Sequence, residues 1–446
     1  MTEQPSPTPR EPRHMVLTVF MHLAGYHKDS WRRPGSRAEE FGHLEFVTDL
    51  ARAAEAAKLD AVFFGDMVAT AFLQEGDVKF SGFWEPVSTM GALAACTERI
   101  GLIGTISTSF SEPYNVARQL AGIDTLSKGR AGWNIVTSGG GQENFGRDEH
   151  WDRPTRYRRA AEYVDVVTKL WDSWSDAAVI ADRERGDWMD LDEIHPINHH
   201  GEFFKVAGPL NMRRPVQGWP VLAQAGSSES GLDFGAHVAD LVYTILPVKE
   251  RAIEYRRAYR EAIAAAGRNP DHVKIVPGIL PIVAETQGEA DTLAEELIGY
   301  VDMDRGRRHL AQMLYLPATG LDDVDLDASI PEARWVTDGS KGSRYDGLRL
   351  KSTERGFTLR DLIVDVIRAG GHQWIVGTPD KIADIMIDWY DSGACDGFSL
   401  NPPYAPGGFH RIFDLLVPEL RRRGYFREEY TGTTLREHLG LPRPSA

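Results

Sequence analysis

Cysteine is nearly absent: Cys96 and Cys395 are the only two in 446 residues, and they form no C-x-x-C. That excludes a disulfide framework or a structural zinc site and points to the cytoplasm. Basic excess is lacking as well. Lys+Arg 50 against Asp+Glu 65 gives a net charge of −15, which argues against nucleic acid and anionic membranes as partners. No apolar run reaches the ~18 residues of a membrane helix. No G-x-G-x-x-G follows a strand and opens a helix, so the chain offers no NAD(P)H-binding signature. Residues 1–13 are polar and proline-rich, without the apolar core of a signal peptide, and read as a disordered lead-in. His195, His199 and His200 lie in HPINHHG, without a matching carboxylate motif and away from strand ends, so no metal is expected.

What is present is a long alternation of short apolar strands and amphipathic helices. Strands are predicted at 14–23, 59–66, 99–108, 130–138, 219–225, 239–246, 273–283 and 396–403. Helical spacing follows most of them, as at 37–58, 157–174, 249–266 and 379–391. Near-continuous apolar strands separated by helices mean a parallel sheet covered on both faces. Eight such units fit a (β/α)8 TIM barrel better than an open doubly wound sheet. The reading is one domain over 14–446, with insertions at about 175–218 and 285–371. Insertions of that length are expected to lie over the carboxyl-terminal face of the strands as lids.

Barrel chemistry gathers where strands end. In GWNIVTS, side-chain alternation turns Asn134, Val136 and Ser138 to the interior and Trp133, Ile135 and Thr137 to the helices. An amide in an apolar strand needs a partner. Either a neighbouring backbone satisfies Asn134, or Asn134 faces a polar heterocycle, with the following glycines letting the backbone pass close by. Asp66 ends the second strand, where it caps the next element or faces the mouth. Ser107 and Thr108 end the third. Ser227 and Ser228 follow the fifth strand and precede a helix, as an N-cap or as an anion site. Arg153 and Tyr157 can reach that same anion.

Several stretches together carry a family resemblance: GRAGWNIVTS (129–138), NFGRDEH (144–150), the pair Arg156 and Tyr157 before a long helix, AGSSESG (225–231), and the tail TLREHLGLPRP. With them the chain resembles the nitrilotriacetate, dibenzothiophene-sulfone and pristinamycin-type flavin-dependent monooxygenases of the bacterial-luciferase-like superfamily, from about Met15 to the end. The resemblance implies a TIM barrel that takes reduced FMN from a separate NAD(P)H:flavin reductase. It implies O2 as co-substrate and oxygenation of a small organic substrate through a flavin peroxide. It assigns FMN contacts to Asp66, Ser107 or Thr108, Asn134, Ser138, Tyr157, Ser227 and Ser228, the last three at the phosphate. Many members carry histidine where this chain has Arg153, whose guanidinium can still pair with phosphate. His27 and His372 are the candidate catalytic groups near the reacting oxygen. A homodimer or homotetramer is expected.

Three other readings remain. A deazaflavin-dependent oxidoreductase would share the fold, but GWNIVTS belongs to the FMN branch. A metal-dependent hydrolase would need ligands at strand ends. A non-catalytic flavin-binding protein would hold FMN and oxidise nothing. Family members oxidise aminopolycarboxylates, sulfur heterocycles and alkanes. Tyr26, Trp31, Phe80, Phe83 and Trp84 suggest an apolar or aromatic substrate here.

Overall fold

The computed structural model describes residues 14–27, 29–69, 84–226, 228–336 and 343–445. The lead-in 1–13, Ser227, Phe80 and Phe83 therefore lie outside the described residues. Nine parallel strands form the main sheet: β1 (Val16–Met21), β2 (Ala61–Phe64), β3 (Gly101–Ser107), β4 (Ala131–Val136), β5 (Val221–Gln224), β6 (Leu241–Thr244), β7 (Lys274–Val283), β8 (Gln373–Gly377) and β9 (Gly397–Leu400). Eight of them close a barrel in the order β1 to β7 and then β9, which pairs back onto β1. The eight predicted strands are these eight.

The ninth strand was not anticipated. β7 is ten residues long. Its first four residues pair with β6, and Ile279–Val283 run on past that pairing to meet β8. β8 continues the sheet upward beyond the barrel, and this places the residue just before it, His372, at the mouth.

The helix layer includes α1 (Leu44–Ala56), α2 (Pro86–Cys96), α3 (Pro113–Leu126), α4 (Arg153–Trp171), α5 (Glu229–Val238), α6 (Lys249–Ala265), α7 (Gln287–Ile298), α8 (Met303–Met313), α9 (Ser343–Thr353), α10 (Leu359–Ala369) and α11 (Pro379–Asp391). Their starts follow from sequence. Glu85 accepts from the backbone N–H groups of Val87 and Ser88 while Pro86 opens α2, and Asp152 accepts from Thr155 at the head of α4.

The lower end of the barrel is built for stability. Asp60, Asp240 and Asp396 each stand one residue before a strand and accept a backbone N–H from the neighbouring strand: Leu17 at 2.7 Å, Leu222 at 3.0 Å and Ile275 at 2.9 Å. Each also meets an arginine, respectively Arg427, Arg436 at 2.7 Å and Arg256 at 2.6 Å. Two of those arginines come from the C-terminal tail. The same tail sends Leu435 and Leu439 into the barrel interior, against Val16, Ile103, Val221 and Val276. Gly101 and Gly132 make room, since a Cβ on either would press on Leu435.

The two insertions behave differently. Residues 175–218 lie along the outer side of α4, tied by His199 to Glu162 at 3.0 Å and by Arg214 to Asp172 at 2.8 Å. The later insertion has a core of its own, with Leu310, Leu314, Trp335, Tyr345, Leu362 and Ile367 buried together. It covers the mouth. Arg305 of α8 forms a buried ion pair with Asp29 in the loop after β1. Of the two insertions expected over the strand ends, this one packs there, while 175–218 packs beside α4.

Candidate active site

The inward faces of β3 and β4 meet at Thr105 and Asn134, which are register partners. Thr105 Oγ1 donates to the Phe64 carbonyl at 2.8 Å and accepts from Asn134 Nδ2 at 2.8 Å. The amide is thereby fixed, and its Oδ1 is buried with no hydrogen-bond donor among the described residues. An unmade hydrogen bond at a buried carbonyl costs about 1–3 kcal/mol. Such an acceptor fits the N–H edge of a bound heterocycle. Trp133 faces the other way, as its alternation requires: its indole N–H donates to the Ile106 carbonyl, and its ring packs on Tyr163 of α4.

The strand ends around Asn134 are joined to one another. Ser107 Oγ and Ser138 Oγ are 2.7 Å apart. Thr108 bonds the Val136 carbonyl from both its N–H and its hydroxyl, and its own carbonyl accepts from the buried Arg159. Asp66 is half-buried and accepts the Met67 N–H at 2.8 Å. Burial pushes its carboxyl above the ordinary range, that hydrogen bond opposes the shift, and nearby Glu85 reinforces it. Of the three glycines after Ser138, Gly141 is the one the backbone demands. Its φ is +93°, and a Cβ there would stand 3.0 Å from the Ala69 nitrogen. The loop thus passes tightly over the end of β2.

A second corner lies where α5 begins. Ser228 is the N-cap of α5, its hydroxyl accepting the Gly231 N–H at 3.2 Å. The next N–H groups, of Glu229 and Ser230, have no intrahelical acceptor by the geometry of any helix start. The Tyr157 hydroxyl reaches this turn from α4. It lies 2.9 Å from where a Gly226 Cβ would be and 3.0 Å from a Gly231 Cβ. Arg153 is exposed one turn before Tyr157. The glycines, the hydroxyls and the helix start make a cradle suited to a phosphate.

A third group lies across the mouth. His372 is fully buried, and its Nε2 is 2.8 Å from the Tyr26 hydroxyl and 2.9 Å from the Tyr243 hydroxyl. Asn401 Nδ2 donates to Tyr243 at 3.4 Å. Gly278 admits the cluster, since a Cβ there would come within 2.8 Å of His372 Nδ1. Burial holds His372 well below the ordinary histidine range, and Arg344 adds to the shift. Burial likewise raises both tyrosines. The cluster is therefore uncharged at neutral pH and offers donors and acceptors only.

His27 does not join this cluster. It is buried in the seam beside the Asp29–Arg305 pair, with Nδ1 accepting the Asp29 N–H at 3.2 Å. The structure brings forward residues that sequence reasoning missed. Thr105 and Tyr243 carried a readable signal, being polar groups at inward positions of apolar strands. His309 and Arg344 carried none, whereas His22, just past the end of β1, was already readable as a histidine near a strand end. All three line a cavity of about 230 Å3 at the mouth, with Phe20, Tyr26 and Met313. Trp31 and Trp84 pack instead against the main core, so of the described aromatics behind the apolar-substrate expectation only Tyr26 reaches the cavity. A larger cavity of about 430 Å3 lies between α4 and the starts of β5 and β6, at the opposite end of the barrel. Among the described residues no cluster of His, Cys, Asp or Glu could hold a metal, and no helix is long and apolar enough to cross a membrane.

The family model for luciferase-like monooxygenases matches residues 18–395. The chain belongs to that family. It is 39% identical over 434 residues to the N-acetyl-S-(2-succino)cysteine monooxygenase of Bacillus subtilis (strain 168), across 97% of this chain and 98% of that one. It is 38% identical over 445 residues to nitrilotriacetate monooxygenase component A of Aminobacter aminovorans, across 97% of each. Among solved structures it resembles a riboflavin lyase described with modified FMN and riboflavin, with a TM-score of 0.83 and 28% identity over 97% of both chains. The resemblance drawn from GRAGWNIVTS and its companions holds. The luciferase-like monooxygenase barrel is thus both the fold and the enzyme class of this chain.

Proposed function

We propose that this luciferase-like monooxygenase is the oxygenase component of a two-component system, using reduced FMN from a separate flavin reductase. One observation carries the reading: the unpartnered Asn134 Oδ1 inside the barrel and the Tyr157–Gly226–Ser228 cradle at its rim suit the ring and phosphate ends of one flavin nucleotide. Bound there, reduced FMN supplies the two electrons with which one atom of O2 enters the substrate and the other leaves as water.

The chain's own part is positioning and exclusion of water. Asn134, with Ser107 and Ser138 beside it, orients the ring. Tyr157, Ser228 and the open N–H groups of α5 hold the phosphate, with Arg153 adding charge at the rim. The insertion, latched by Arg305 to Asp29, keeps bulk water from the mouth. His372 holds Tyr26 and Tyr243 as neutral hydroxyl groups facing the substrate side.

The test is a comparison of flavins and electron sources. The protein should bind reduced FMN more tightly than oxidised FMN, retain FMN in preference to a deazaflavin, and oxidise substrate only when a flavin reductase and NADH are added. Consumption of NADH and substrate by the isolated protein would overturn the two-component reading. Retention of the deazaflavin would favour hydride transfer instead. FMN retention without any oxidised product would leave a flavin-binding protein.

A further inference from the structure

The cavity of about 230 Å3 at the barrel mouth has walls of two kinds. Phe20, Met313 and Ile367 present apolar surface. His22, Tyr26, His309 and Arg344 bring imidazole, hydroxyl and guanidinium groups, and among the described residues no Asp or Glu lines the space. That composition departs from the chain as a whole, where acidic residues outnumber basic ones by 65 to 50. Arg344 is exposed at the rim yet close enough to Tyr26, Tyr243 and His372 to act on all three electrostatically.

A guanidinium stays charged at every working pH, and its planar fork matches a carboxylate. A purely apolar ligand would leave that rim charge to water and gain nothing from it, whereas a carboxylate gains a charge-assisted contact. The cavity is also small against the ~300–1,000 Å3 of sites for drug-sized ligands.

Resting on the monooxygenase reading above, we propose that the substrate is a small organic acid. Arg344 takes its carboxylate, His22 and His309 flank that contact, and Phe20, Met313 and Ile367 hold its uncharged portion. In a chain of net charge −15, this local patch also offsets the long-range repulsion an anion meets on approach.

Equilibrium binding separates the possibilities. Succinate, tricarballylate and citrate, and the methyl ester of each, are titrated into FMN-loaded wild type, Arg344→Gln and Arg344→Lys. At least one acid should bind in the millimolar range or below, and its ester should bind at least tenfold more weakly. Arg344→Gln should weaken acid binding roughly ten- to hundredfold, the range of a charge-assisted contact. The ester's affinity should not change, and Arg344→Lys should recover part of the loss. FMN affinity and the melting curve of Arg344→Gln should match wild type, which shows that the variant folds. The proposal is overturned if no acid binds wild type, if an ester binds as well as its acid, or if Arg344→Gln leaves acid affinity within twofold. Failure of the monooxygenase reading looks different: wild type would not retain FMN or incorporate oxygen, whatever the contrast between acid and ester.

Discussion

The Tyr243 hydroxyl lies 2.9 Å from His372 Nε2, and the same nitrogen meets Tyr26 at 2.8 Å. One imidazole therefore anchors two buried hydroxyls that come from opposite parts of the chain. The two ways of breaking the cluster should differ in cost. Tyr243→Phe leaves Nε2 its contact with Tyr26 and should cost about 1 kcal/mol of stability. His372→Ala removes the shared partner of both tyrosines and opens a void, and should cost about 2–5 kcal/mol. Urea unfolding of the two variants checks the order, and equal costs would show that the nitrogen is not shared.

His27 should make the protein acid-sensitive. Burial holds its pKa down at about 4, with Arg305 pushing in the same direction. An unfolded histidine titrates near 6.5. Because the folded pKa is depressed, the stabilisation is fully present above pH ~6.5 and is lost as pH falls towards 4. The gap corresponds to about 3 kcal/mol. His438, which burial holds at about 3, acts with the same sign. Unfolding free energy measured from pH 7 down to 4 should fall steeply for wild type. His27→Gln should be less stable at pH 7 but show a shallower slope, with His372 and His438 still contributing to the slope that remains. Identical slopes in the two proteins would rule out the assignment.

The barrel was legible because apolar runs and helical spacing follow burial, and burial repeats around a closed sheet. GWNIVTS gave the orientation of Asn134 and Trp133 through alternation alone. Strand β8 escaped notice because it does not repeat the barrel unit; it exists only because β7 overshoots. The seam around His27 was illegible for a related reason. Asp29 and Arg305 are distant in sequence, and nothing local marks them as a pair. Arg344 sits in a polar stretch that reads as surface until the insertion folds its own core and turns that helix to the mouth.

The cradle at α5 should read the FMN phosphate. Tyr157→Phe removes one hydroxyl donor, and alanine at both Ser227 and Ser228 removes two, with the backbone N–H groups left in place. Charge-assisted hydrogen bonds contribute about 1.5–3 kcal/mol each. The double serine variant should therefore bind reduced FMN roughly one to three orders of magnitude more weakly. Riboflavin, with no phosphate, should lose little. Ser228 is also an N-cap, so the variant should lose about 1 kcal/mol of stability in addition. Equal losses for both flavins would show that these hydroxyls do not read the phosphate.

The C-terminal plug should be coupled to the glycines that receive it. Leu435 is fully buried in the barrel interior, far from the mouth. Leu435→Ala should cost about 2–5 kcal/mol, the usual range for truncating a buried leucine. Gly101→Ala should also destabilise, because its new methyl would overlap Leu435 and stand 2.8 Å from the Asp60 carbonyl oxygen. Combining them removes the first clash but not the second, since the Asp60 contact is backbone and cannot swing away. The double variant should thus be less damaged than the two single costs added together, with a coupling of about 0.5–3 kcal/mol. Simple additivity would mean that Leu435 does not occupy the space above Gly101. Flavin affinity supplies the control. The plug lies at the amino-terminal ends of the strands, below Asn134 and away from the Tyr157–Ser228 cradle, so folded protein of all three variants should bind reduced FMN as wild type does.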